Sequence, residues 1–158
     1  MPVAPRDAGV SQPDAASVDD RRRLPPARRL RSPAQFAAVT SDPKALRAGR
    51  GWFSMACRIE PGSTTTPVRF GFTVARRLAR RAVDRNTVKR TLREAARQHV
   101  AMLDAVAASR SVDIVLRLKR PVGEAGPMSR ATWKATLRGE ADWLLRQLAA
   151  RLRAAEAS

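Results

Sequence analysis

An α/β (α+β) two-layer sandwich, with helices packed on one small mixed sheet, is the fold class this 158-residue sequence predicts. Three observations predict it. Two stretches alternate apolar and polar residues with the period of two that a half-buried strand needs. Two longer stretches repeat apolar residues at helical spacing. Strand and helix patterns also interleave in the order α-β-β-α-β-α, with no internal repeat. The length fits one domain with tails. The expected division is a disordered basic tail over 1–24, a single domain over 25–153 and a C-terminal tail over 154–158.

The tail assignment rests on composition, since residues 1–24 are rich in Pro, Ala, Asp and Ser, lack periodicity and carry Arg21-Arg22-Arg23 near their end. After Pro25-Pro26, Ser32 is a good helix cap and Pro33 suits the first helical position, so Phe36 and Val39 should lie on a helix of one or two turns. Residues 52–59 place Phe53, Met55, Cys57 and Ile59 on one face of a strand and Trp52, Ser54, Ala56 and Arg58 on the other. Pro61-Gly62-Ser63 and the following threonines read as a turn. Val68 to Ala75 reads as a second strand, expected to be the antiparallel neighbour of the first. Phe70, Phe72 and Val74 share one of its faces, and Gly71 on the other marks a place where something approaches the backbone closely.

Asp84 is the candidate cap of a helix whose stripe is Val88, Leu92, Ala95, His99, Leu103 and Val106. Asp113-Ile114-Val115-Leu116-Arg117-Leu118 is a third strand, ended by Pro121 and a glycine-containing loop. A long final helix begins near Ser129, with Trp133, Leu137, Ala141, Leu144, Leu148 and Leu152 along one face.

Charge narrows the function classes. The chain carries 31 Lys+Arg against 14 Asp+Glu, a formal charge of +17, and all but four of the basic residues are Arg. A GC-rich genome explains arginine over lysine but not the excess itself, which needs a polyanion, most often nucleic acid. No apolar run approaches the ~18–20 residues of a membrane span. Cys57 is the single cysteine, which excludes an internal disulfide framework and a multi-cysteine zinc site and fits a reducing compartment. The first twenty residues hold Asp7, Asp14, Asp19 and Asp20 where a secretory signal would be apolar, so the expected compartment is the cytoplasm.

No catalytic set is visible. His99 stands alone on the apolar stripe and reads as a core histidine, and Cys57 faces the core as a small hydrophobe. Asp19 and Asp20 lie in the tail, while Glu140 and Asp142, two apart on a helix, diverge. Neither a two-metal carboxylate site nor a glycine-rich phosphate loop is present.

Residues 76–97 concentrate the charge, with nine basic side chains (Arg76, Arg77, Arg80, Arg81, Arg85, Lys89, Arg90, Arg93 and Arg97) against Asp84 and Glu94. A solvated helix usually alternates signs so that residues four apart pair, whereas this face repels itself unless an external anion covers it. Arginine forks match phosphate oxygens, and Asn86 near the helix start adds a donor and an acceptor. Phe36 and Trp52 are the two aromatics whose positions leave packing and nucleotide stacking equally open.

The order Phe70-Gly71-Phe72-Thr73-Val74-Ala75-Arg76-Arg77, then Ala82-Val83, Arg85-Asn86-Thr87-Val88-Lys89-Arg90 and Arg93-Glu94 resembles the signature of the bacterial ribonuclease P protein component. With Arg29-Leu30-Arg31-Ser32 and Phe36 upstream and the Asp113-Ile114-Val115 strand downstream, the resemblance covers roughly residues 25–150. Thr87 stands where the family usually has a second arginine of an Arg-Asn-Arg run, and Thr40 where an aromatic often follows Phe36 by one turn. The resemblance implies a left-handed β-α-β crossover, as in the second domain of a ribosomal protein. It implies binding of the catalytic RNA subunit through the Arg85–Arg97 helix, and of the 5′ leader of precursor tRNA between the first helix and the sheet. Hydrolysis would belong to magnesium ions held in the RNA, with no catalytic residue, metal site, small-molecule substrate or membrane partner in the protein. The alternative is a general RNA-binding structural protein, which has no reason to carry the ordered Arg85-Asn86, Lys89-Arg90, Arg93 spacing. Both readings require the basic side chains to be free of internal carboxylates.

Overall fold

A computed structural model of the chain describes residues 24–62 and 68–157. The expected disorder of residues 1–23, and the part of the predicted turn at 63–67, lie outside the described residues. Three helices and four strands follow in the order α1 (Pro33–Thr40), β1 (Leu46–Arg50), β2 (Phe53–Pro61), β3 (Val68–Thr73), α2 (Ala82–Ala107), β4 (Arg110–Leu118) and α3 (Arg130–Ala157). The strands form one mixed sheet in the order β1-β2-β4-β3, with β1–β2 and β2–β4 antiparallel and β3–β4 parallel, the last pair joined through α2.

Helices α2 and α3 cover one face of the sheet. Phe53, Met55, Cys57, Phe70, Ile114 and Leu116 meet Val88, Leu92, Leu103, Leu137, Leu144 and Leu148 there in one continuous core. The short α1 sits on the opposite face, where Leu30, Val39, Ala56 and Val115 form a small second cluster with Phe36 against it. Helix α1 starts as its sequence dictates. The Ser32 hydroxyl accepts from the Gln35 amide at 3.2 Å, and the Gln35 side chain accepts from the Ser32 amide at 3.1 Å, closing a capping box with Pro33 in the first turn.

Five expectations need correction. Strand β1 was not foreseen, because Leu46-Arg47-Ala48-Gly49-Arg50 is a short edge strand with only Leu46 and Ala48 turned to the core. The strands over 53–61 and 68–73 are not neighbours, since β4 lies between them. Its run Val112 to Leu116 is buried throughout, as a central strand covered on both faces should be.

Trp52 does not continue the β2 alternation. It is the second residue of the two-residue turn between Arg50 and Phe53, after Gly51 at φ 52°, and its side chain enters the main core. Asp84 is not the cap of α2 but a buried carboxylate in its first turn, the helix beginning after Arg81 without a side-chain cap. Finally, 154–157 are not a tail. Helix α3 runs through Ala157 on good helix formers, and Glu156 reaches Arg110 at 3.9 Å.

Candidate nucleic-acid interface

The β3–α2 connection presents the first part of the basic surface. Ala79 is fully buried and anchors the loop to the core. The Leu78 and Ala79 amides both donate to the Ala75 carbonyl, and the Val122 amide donates to the Leu78 carbonyl at 2.7 Å. The anchoring leaves Arg76, Arg77 and Arg80 exposed, and among the described residues none of the three has a carboxylate within 4.0 Å. Arg85 differs from them. Its Nη1 donates to the carbonyls of Ala79 at 3.0 Å and Arg80 at 2.8 Å, so this arginine shapes the loop that displays the others.

Along α2, Arg85, Lys89, Arg93 and Arg97 follow at four-residue intervals, and Asn86 and Arg90 lie beside that row. Asn86 and Arg90 are exposed, Lys89, Arg93 and Arg97 half-buried. Arg93 donates to the Lys89 carbonyl at 3.3 Å. Arg97 Nε is buried and donates to no atom of the described chain.

The acids of α2 are engaged from elsewhere. Asp84 accepts from Arg130 at 3.1 Å and faces Arg81 at 3.7 Å, Glu94 meets Arg138 at 3.5 Å, and Asp104 takes a two-pronged contact from Arg28 at 2.7 Å. Lys89, Arg90 and Arg97 therefore have no carboxylate partner among the described residues. Arg81, also read from the sequence as RNA-binding, lies near Asp84 but stays largely open, with 73% of its side chain exposed.

Phe36 and Trp52 are not brought together. Phe36 lies under α1 on one face of the sheet, half-buried, and its ring fills the space a side chain at Gly71 would need, 2.6 Å from the position of a Cβ there. The close approach anticipated at Gly71 is thus made by Phe36. Trp52 is buried on the other face, edge-on to Trp133 at 6.2 Å and beneath the Arg120 guanidinium at 4.6 Å. Its amide is held by Glu140 at 2.9 Å. The two rings therefore lie on opposite faces of the sheet, and Trp52 is packed in the main core.

Beside Phe36's helix the open sheet face forms a groove of about 280 Å³ lined by Thr40, Arg47, Ser54, Ala56 and Arg117. Register puts Arg117 opposite both Ser54 and Thr73, all on the α1 side of the sheet. At the other end of that face Asp113 holds Arg69 by two hydrogen bonds of 2.8 and 2.9 Å, which keep the guanidinium firmly charged and locally neutralised. Positive charge on this face is therefore concentrated at Arg47 and Arg117. Sequence reasoning missed both; their signal was their place among the outward residues of the strand alternation.

His99 and Asp142 join α2 to α3, Nε2 to Oδ1 at 3.0 Å, with Arg138 donating to the same oxygen at 3.0 Å. This supports the core reading of His99. Burial pushes the Cys57 thiol up to about 12, so it is no nucleophile near neutral pH. Among the described residues no three His, Cys, Asp or Glu side chains gather where they could hold a metal ion, and no helix is long and apolar enough to cross a membrane.

Comparison with known proteins agrees with this geometry. The family model for ribonuclease P matches residues 24–149. The ribonuclease P protein component of Bordetella avium is 35% identical over 119 residues, covering 75% of this chain and 89% of the relative. That of an Azoarcus species is 39% identical over 112 residues, covering 71% and 82%. Among solved structures, the RNase P protein of Staphylococcus aureus has the same fold, with a TM-score of 0.56 at 19% identity over 77% of this chain and 94% of that one. The RNase P protein of Thermotoga maritima does so with a TM-score of 0.55 at 22% identity over 75% and 96%. Motif spacing, the basic row along α2 and the extent of these matches agree, and the chain belongs to the ribonuclease P protein component family.

Proposed function

We propose that this protein, as the protein component of ribonuclease P, binds the catalytic RNA subunit through α2 and the Arg76–Arg81 loop. In this reading the 5′ leader of precursor tRNA lies in the groove between α1 and the sheet. The observation that carries it is the separation of charges on α2: its carboxylates are taken by Arg28, Arg130 and Arg138, while Lys89, Arg90 and Arg97 face no carboxylate among the described residues. Two RNAs that must approach each other repel, and fixed guanidinium groups supply counter-charge without the entropic cost of condensing mobile ions. The protein thereby raises affinity for precursor and lowers the magnesium demand of the RNA. In this reading the magnesium that activates water is held by the RNA. The compartment is the cytoplasm, which suits a chain whose one cysteine is a buried free thiol.

In the groove, Arg47 and Arg117 hold leader phosphates and Ser54 supplies a hydroxyl, with Thr73 beside Arg117 in the sheet and Phe36 packed against the cluster that includes Ala56. Removal of a precursor tRNA leader at low magnesium tests the assignment, measured with the RNA subunit alone, the protein alone and both together. Cleavage should need the RNA and should be far faster with the protein present. Equal rates with and without protein would refute the reading.

A further inference from the structure

Helices α2 and α3 run side by side, and a ladder of polar contacts marks their seam. Arg130 joins Asp84 at 3.1 Å and Thr87 at 3.0 Å; further along, Arg138 joins Glu94 at 3.5 Å and Gln98 at 2.5 Å; then His99 joins Asp142. Between the first and second rungs the ladder is interrupted. Arg90 of α2 and Lys134 of α3 line a common groove there, of about 440 Å³, with Thr87 and Thr91 in its wall. Neither cation has a carboxylate within 4.0 Å among the described residues. Glu94 is the one acid of the lining, and Arg138 already holds it. The threonine hydroxyls donate to the carbonyls four residues back, at 2.9 Å each, so the groove's free donors are those of Arg90 and Lys134.

Two cations sharing a groove without a counter-ion are mutually repulsive, and an oxyanion between them replaces that repulsion with two charge-assisted hydrogen bonds. Thr87 contributes to the opening. Its short side chain is tied down, the hydroxyl donating to the Val83 carbonyl and accepting from Arg130. Arg90 also follows Asn86 by one turn, so a polyanion on the α2 row reaches the groove without a break.

We propose that the α2–α3 groove is a second contact for the RNA backbone, in which Arg90 and Lys134 together clasp one phosphate. The inference rests on the RNA-binding reading above and assigns a contact to α3, which the basic run of residues 76–97 does not include.

The test uses the full-length protein and a transcript of the ribonuclease P RNA subunit, with affinity measured across a series of salt concentrations. Lys134→Ala should weaken binding about three- to tenfold and reduce the salt slope by about one ion. Arg90→Ala should do the same, and the double variant should lose less than the product of the two, because one phosphate serves both. Arg146→Ala, an exposed α3 residue outside the groove, controls for net charge. An unchanged Lys134→Ala beside a weakened Lys89→Ala overturns the groove and leaves the RNA-binding reading standing. Lys89→Ala and Lys134→Ala both unchanged overturns the two together. An Arg146→Ala loss equal to that of Lys134→Ala also overturns the groove, because bulk charge then accounts for the effect. Thermal melting of each variant confirms that these substitutions leave the fold intact.

Discussion

At Gly71, one missing side chain connects the sheet to the proposed leader groove. A Cβ there would lie 2.6 and 2.8 Å from two Phe36 ring carbons and 3.2 Å from Leu30 Cδ1, so Gly71→Ala must push α1 off the sheet. Overpacking of this kind costs about 1–3 kcal/mol. The expected result is a lower melting temperature together with weaker binding of leader-bearing precursor, mature tRNA being less affected. Unchanged stability would mean that α1 has room to move. Trp52 makes the opposite case. Buried at 4% exposure against Trp133 and Arg120, its truncation to alanine should cost about 3–5 kcal/mol. Any loss of RNA binding should then fall on precursor and mature tRNA alike, whereas a stable Trp52→Ala protein with a selective precursor defect would return the ring to the interface. The sequence could not separate the two aromatics, because alternation assigns a face only inside a strand, and Gly51 turns the chain just before β2 begins.

Helix α2 has two faces of unequal legibility. Its apolar stripe was readable because period 3.6 survives any tertiary arrangement, and Val88, Leu92, Ala95 and Leu103 are all fully buried as expected. The fate of its charged groups was not readable, because the arginines that take its carboxylates lie 44 to 76 positions away in the chain, and Arg85 turns to loop carbonyls. Asp84 shows this best. As a predicted cap it would have bonded its own helix, but it lies buried in the first turn, takes Arg130 of α3 and favours the positive helix end. Asp84→Ala should therefore destabilise the protein by about 1–2 kcal/mol, a modest figure because Arg130 is itself partly exposed. Urea denaturation measures it. No change in midpoint would show that the seam does not depend on this pair. Strand pairing was hidden for a related reason. Alternation locates β2 and β3, but only the consecutive apolar residues Ile114-Val115-Leu116 of β4 signal that it separates them.

For the whole molecule, charge decides the behaviour in solution. The fold commits Arg85 of the basic run to loop carbonyls and leaves Arg76, Arg77, Arg80, Lys89, Arg90 and Arg97 without carboxylate partners among the described residues. If those six and Arg93 meet phosphates, the logarithm of RNA affinity should fall against the logarithm of salt concentration with a slope of about −5 to −6. The affinity lost between 50 and 200 mM salt would then be on the order of a thousandfold. A slope near −2 would place most of the row off the RNA and leave the repulsion of +17 without its counterpart. Arg85→Ala offers an internal contrast. Because its guanidinium holds the Ala79 and Arg80 carbonyls, its loss should lower affinity by disordering the loop, and with it several contacts at once. Its slope should therefore drop by more than the single ion expected for Lys89→Ala.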